Sequence, residues 1–171
     1  EELYKLHAGV LEDVYPTNAK EYKGKIPTFS FDGMCDVAPA NKVVRPKVLI
    51  PVFPGTNCEY DSARAVEKAG AEAEIFVIRN LTAEDVARSV EGFSAKVKES
   101  QIIFIPGGFS GGDEPDGSAK FITAFFRNPA VKEAVTDLLD NRDGLMCGIC
   151  NGFQALIKLG LVPYGKIIDT D

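Results

Sequence analysis

Between residues 47 and 160, short runs of apolar residues alternate with stretches of helical spacing, and this alternation limits the possible folds more than any other feature. KVLIPVF at 47–53, EIFVI at 74–78, QIIFI at 101–105 and GLMCGI at 144–149 are apolar on both faces. A strand of that kind needs cover on both sides, and the connections between these strands are long enough to hold a helix each. Asn57–Gly70 places Ala63, Val66 and Ala69 at helical spacing, with Asn57 as its expected N-cap. Thr82, with Asp85 three residues on, reads as the N-cap of TAEDVARSVEGF. Helices are also predicted over 118–127, over 129–141 with Val131, Ala134, Val135, Leu138 and Leu139 on one face, and over 151–160, ended by Gly160. The expected fold is an α/β three-layer sandwich, a mostly parallel sheet covered on both faces, with its ligand site at the carboxyl ends of the strands.

Residues 1–46 show no such pattern. Pro16, Pro27, Pro39 and Pro46 break the segment, Gly24 and Gly33 lie between them, and only Glu1–Val14 is mildly helical. The expected organisation is a linker or extension at 1–46, lying on a neighbouring domain, and one packed domain at 47–171. A net charge of −6, scattered basic residues and no Trp argue against a nucleic-acid partner. No apolar run approaches the ~20 residues of a membrane span, and the charged start has no signal-peptide core, so a cytoplasmic, membrane-free protein is expected. Cys35, Cys58, Cys147 and Cys150 are too few for a disulfide scaffold and read as reduced thiols. The single histidine is His7.

The sharpest motif is Gly148-Ile149-Cys150-Asn151-Gly152, between a predicted strand and a predicted helix. It has the form of a nucleophile elbow with Cys in place of Ser. A strand that turns at once into a helix strains its corner residue, and small residues two before and two after let the chains pass. The helix N-terminus behind Cys150 is expected to favour the thiolate, and the Asn151 N–H is placed to act as an oxyanion donor. A buried Cys in a tight turn would give the same pattern. Cys147 and Cys150 also form C-x-x-C, which leaves a redox pair or half a zinc site open; zinc would need two further ligands, of which Cys58 could supply one.

Two other loops follow predicted strands. Pro106-Gly107-Gly108-Phe109-Ser110 brings backbone close to a ligand and aims N–H groups at it, or is a flexible turn. It lacks the Lys-Ser/Thr of a P-loop, and Asp113-Glu114-Pro115-Asp116 would repel phosphate, so it suits an oxyanion or a zwitterionic amino acid. Pro54-Gly55-Thr56-Asn57-Cys58-Glu59 reads by itself as a helix cap.

Taken in order, FPGTNCEYD (53–61), PGGFSGGD (106–113) and GICNGFQALIKLG (148–160) resemble the class I, triad glutamine amidotransferases. Within these they are most similar to the glutaminase domains of phosphoribosylformylglycinamidine synthases. The likeness covers about 47–168, and LEDVYPT onwards resembles the connection out of the synthetase portion of the large single-chain form. It implies a flavodoxin-like sheet, with Cys150 attacking the side-chain amide of L-glutamine to give a thioester and ammonia. Gly108, Phe109 and Asn151 would supply the oxyanion hole, and Gln154 would contact glutamine. Asn57 and Ser110 would sit at the pocket rim as substrate contacts. No metal is implied in this chain. ATP and Mg²⁺ would belong to a synthetase domain of the same polypeptide, which would use the ammonia to make formylglycinamidine ribonucleotide.

The family's triad continues with a His and a Glu well downstream of the Cys, whereas no His follows Cys150 here and His7 precedes it. The expectation is a C-terminally truncated domain that keeps the elbow but is crippled by itself. EPDGSAKF after Asp113 also departs from the aromatic, Arg-rich segment of separately encoded glutaminase subunits. Two other readings stand beside this one: another Cys-elbow hydrolase, such as a peptidase or deglycase of the related fold, and a non-catalytic module that docks on a synthetase.

Overall fold

The computed structural model describes residues 1–17, 23–30, 32–33, 42–112 and 118–169. Cys35 and the acidic stretch at 113–116 lie outside them. The chain divides into two compact units, Glu1–Val37 and Ala38–Asp171. The first holds helix α1 (Glu2–Gly9), followed by turns that end where the Thr17 N–H and Oγ1 donate to the Glu12 carboxylate at 2.8–2.9 Å.

The second unit runs β1 (Lys47–Val52), α2 (Glu59–Lys68), β2 (Glu72–Val77), α3 (Ala83–Glu99), β3 (Ile102–Ile105), α4 (Lys120–Phe126), α5 (Pro129–Asp140), β4 (Leu145–Gly148), α6 (Asn151–Leu159) and α7 (Leu161–Tyr164). Its four strands are all parallel, in the order β2-β1-β3-β4, the flavodoxin-like order. All four predicted strands and the helices after Pro46 are present, most ends lying within two residues of those expected, while α3 runs on past Phe93 to Glu99.

Local chemistry explains several of the ends. The Asp85 N–H donates to Thr82 Oγ1 at 3.1 Å, the expected cap of α3. Asn128 caps α5 in the same way, with Pro129 at its first position. Gly160 closes α6 in a left-handed conformation (φ 86°). Arg142 ties the turn after α5 to the end of α3: it pairs with Asp137 and donates to the carbonyls of Val97, Lys98 and Ser100 at 2.7–3.1 Å.

The two faces of the sheet are not covered equally. On one, Leu49, Ile103 and Ile105 are fully buried beneath α3, α4, α5 and α6. Phe93 of α3 is the hub of that layer, with edge-to-face contacts to Phe76, Phe125 and Phe126 at 5.4–5.8 Å. On the other face, Val48 and Ile50 pack against Ala63 and Val66 of α2. Over β4 that face is open: Leu145 and Cys147, in register with Ile102 and Phe104, are exposed. The expected cover on both faces is thus met over β1 and not over β4 among the described residues.

Phe93→Ala removes the hub of the larger core and should cost about 3–5 kcal/mol, read from urea unfolding. A loss below about 1 kcal/mol would contradict this packing.

Candidate active site

Loops from three strands meet at one end of the sheet, beside the β1–β3 boundary where the strand order reverses. The first follows β1. Its turn is closed by the Thr56 N–H on the Phe53 carbonyl at 2.9 Å and by the Phe53 N–H on Thr56 Oγ1 at 2.9 Å. The second follows β3. The two loops clasp through an antiparallel bridge between Thr56 and Gly108, with Asn57 N–H on Gly107 O and Phe109 N–H on Gly55 O, both at 2.8 Å. Glycine is required at the crossing. Gly108 has φ 138°, and a Cβ there would strike the Gly55 carbonyl.

The third loop is the corner between β4 and α6. Cys150 has φ 52° and ψ −108°, a strained conformation for a residue with a side chain. A Cβ at Gly148 would lie 2.5 Å from the Gly152 carbonyl oxygen. One at Gly152 would run into the Ile105 carbonyl and stand 2.9 Å from that of Pro106. The two flanking glycines therefore do the steric work expected of them. Cys150 is exposed, and a Cβ added to Gly107 would be 3.4 Å from its own Cβ, so the Gly-rich loop lies directly beside the thiol. Cys147 lies within β4 and is a free thiol like Cys150 and Cys58. Among the described residues, no three His, Cys, Asp or Glu side chains gather as a metal site requires, and no helix is long and apolar enough to cross a membrane.

The structure brings Cys150, Gly108, Asn151 and Gln154 together and changes the parts assigned to three other residues. The Phe109 N–H is occupied by Gly55, so it is not an oxyanion donor as expected; the left-handed turn at Gly55 (φ 89°) aims that carbonyl into the loop. The N–H groups of Gly108 and Asn151 have no partner among the described residues. Ser110 is not at the rim. It is fully buried, its N–H donates to Asn151 Oδ1 at 3.1 Å, and its hydroxyl has no partner among the described residues. Asn57 is exposed but does not cap α2; its N–H is held by the Gly107 carbonyl, and Cys58 takes the cap position in a left-handed conformation.

Two residues that sequence reasoning missed complete the site. Ser118 Oγ donates to Gln154 Oε1 at 2.6 Å, and Lys158 Nζ donates to the Ser118 carbonyl at 2.8 Å. Asn151 Nδ2 reaches the same Gln154 oxygen at 3.0 Å.

Residues 45–171 match the family described as the CobB/CobQ-like glutamine amidotransferase domain. Among curated proteins, the chain is 39% identical over 134 residues to phosphoribosylformylglycinamidine synthase subunit PurQ of Methanococcus maripaludis, covering 75% of this chain and 44% of that protein. It is 38% identical over 117 residues to the subunit of the same name from Dehalococcoides mccartyi, covering 68% and 41%. The chain thus spans less than half the length of these relatives. A solved structure, that of PurLQS from Thermotoga maritima, aligns with a TM-score of 0.47 at 26% identity over 68% of this chain and 45% of that one.

Gly152→Ala should destabilise the fold by about 2–4 kcal/mol in urea unfolding, because the added methyl meets backbone that cannot yield. Unchanged stability would show that the corner between β4 and α6 does not press against β3.

Proposed function

The chain belongs to the family of CobB/CobQ-like glutamine amidotransferase domains, and we propose that within it Cys150 is the nucleophile that cleaves the side-chain amide of L-glutamine. The observation that carries this reading is the corner itself: an exposed thiol on a strained residue, between two obligatory glycines and against the Gly-rich loop. The glycines let the corner pack closely on β3, and the strain falls on an exposed side chain, as presenting a nucleophile requires.

The sulfur attacks the amide carbon, and the developing oxyanion is met by the N–H groups of Gly108 and Asn151. As the C–N bond breaks, the thiol proton leaves with the nitrogen as ammonia and a glutamyl thioester remains. Water then cleaves the thioester, its OH going to the acyl carbon and its proton to sulfur. Gln154 and Asn57 contact the glutamine, and Ser110 acts from below, by fixing the loop to Asn151.

The ammonia serves a synthetase partner that forms formylglycinamidine ribonucleotide, and ATP and Mg²⁺ belong to that partner. The relatives named PurQ support this pathway and are subunits. The LEDVYPT segment supports a synthetase portion on the same polypeptide, the large single-chain arrangement. The sole histidine, His7, lies in the Glu1–Val37 unit and ahead of the nucleophile, so these 171 residues contain no downstream histidine to act as base.

Cys150→Ala should reduce glutamine-dependent product formation by the complete enzyme about 10³-fold or more, while Cys147→Ala retains it. The reverse pattern would favour a redox or structural part for the C-x-x-C pair. The 171-residue chain by itself should release glutamate at least about 10³-fold more slowly than the complete enzyme. Equal rates would contradict the need for a base outside it.

A further inference from the structure

Resting on the glutaminase reading, the hydrogen bonds around Gln154 determine which way its amide faces. The Ser110 peptide N–H has only a proton to offer, so the Asn151 atom 3.1 Å from it is Oδ1. That choice turns Asn151 Nδ2 toward Gln154, at 3.0 Å. An amide NH₂ only donates, so the Gln154 atom that receives it is Oε1. The Ser118 hydroxyl reaches the same oxygen at 2.6 Å and points its proton there. Both lone pairs of Oε1 are then used. The Nε2 group, with its two N–H bonds, has no partner among the described residues.

The relay is well anchored. Asn151 is 3% and Ser118 5% exposed. The Ser118 carbonyl is held by Lys158 from the last turn of α6, while Gln154, one turn beyond Cys150, donates its backbone N–H to the Cys150 carbonyl at 2.9 Å. Ser110 and Ser118 flank the loop on either side, so the same bonds that orient Gln154 also tie both flanks of the loop to the nucleophile's helix.

We propose that Ser118 and Asn151 are positioning residues that lock Gln154 as a hydrogen-bond donor, so that it takes the α-carboxylate of the amide substrate and not its α-ammonium. A carboxylate accepts an N–H bond with charge assistance, whereas an ammonium would set donor against donor.

The test uses saturable alkylation of Cys150 by a diazo-ketone analogue of glutamine. In that reaction the thiol proton adds to the diazo carbon, the C–S bond forms and dinitrogen leaves. A second probe carries an α-carboxamide in place of the carboxylate, and iodoacetamide reports thiol access alone. Ser118→Ala should raise the apparent inhibition constant of the carboxylate probe about tenfold. It should leave that of the carboxamide probe, the limiting alkylation rate and the iodoacetamide rate unchanged, and Ser118→Thr should restore the wild-type constant. Asn151→Asp still accepts from Ser110 but no longer donates to Gln154, and should raise the same constant. No effect of Ser118→Ala, or an equal loss with both probes, overturns the relay and leaves the glutaminase reading in place. A wild-type chain whose Cys150 shows no saturation by either diazo-ketone overturns both.

Discussion

The site depends on how closely the corner between β4 and α6 presses against the end of β3. At Gly152 there is no room for even one carbon beside the Ile105 and Pro106 carbonyls, and at Gly148 none beside Gly152 itself. That contact forces Cys150 into its unusual backbone angles and lifts its thiol from the sheet edge. It also brings Gly107 against Cys150, so loops from two different strands lie side by side at the thiol. Ala155, Leu156 and Leu159 bury α6 in the larger core, and strain of order 1–3 kcal/mol at the corner survives only where such surroundings over-determine it.

A parallel sheet supplies this arrangement economically. Every strand ends at the same edge, so the loops after β1, β3 and β4 gather without long excursions. The clasp between Gly55–Asn57 and Gly107–Phe109 then uses peptide groups that would otherwise be unpaired at the strand ends. The occupied Phe109 N–H shows how such bonds divide the loop's donors. Some hold the loop, and those of Gly108 and Asn151 have no partner among the described residues.

Much of this was legible in the sequence. Unbroken apolar runs such as KVLIPVF mark buried parallel strands, and the Gly148–Gly152 spacing has few uses besides a strained corner. Thr82 was readable because its cap bond spans only three residues. Bonds between distant parts of the chain were not. Asn57 is a residue type that caps helices, but its N–H pairs with Gly107 in a distant loop and the cap position falls on Cys58. The burial of Ser110 and the parts played by Ser118 and Lys158 depend on bonds across 36 to 41 residues, which no local pattern encodes. The open face over β4 was equally hidden, because Leu145 and Cys147 read as core residues by apolarity alone.

Cys58, Cys147 and Cys150 are all free and exposed, so access alone does not separate them. The central claim is that the corner and its loop make Cys150 the one that meets glutamine. Its most direct test is to treat the chain with a limiting amount of a diazo-ketone glutamine analogue and map the modified cysteine by peptide mass. The account predicts a single adduct, on Cys150, suppressed by excess L-glutamine. An adduct shared between Cys150 and any of the other three cysteines, or one on Cys150 that glutamine does not protect, would contradict it.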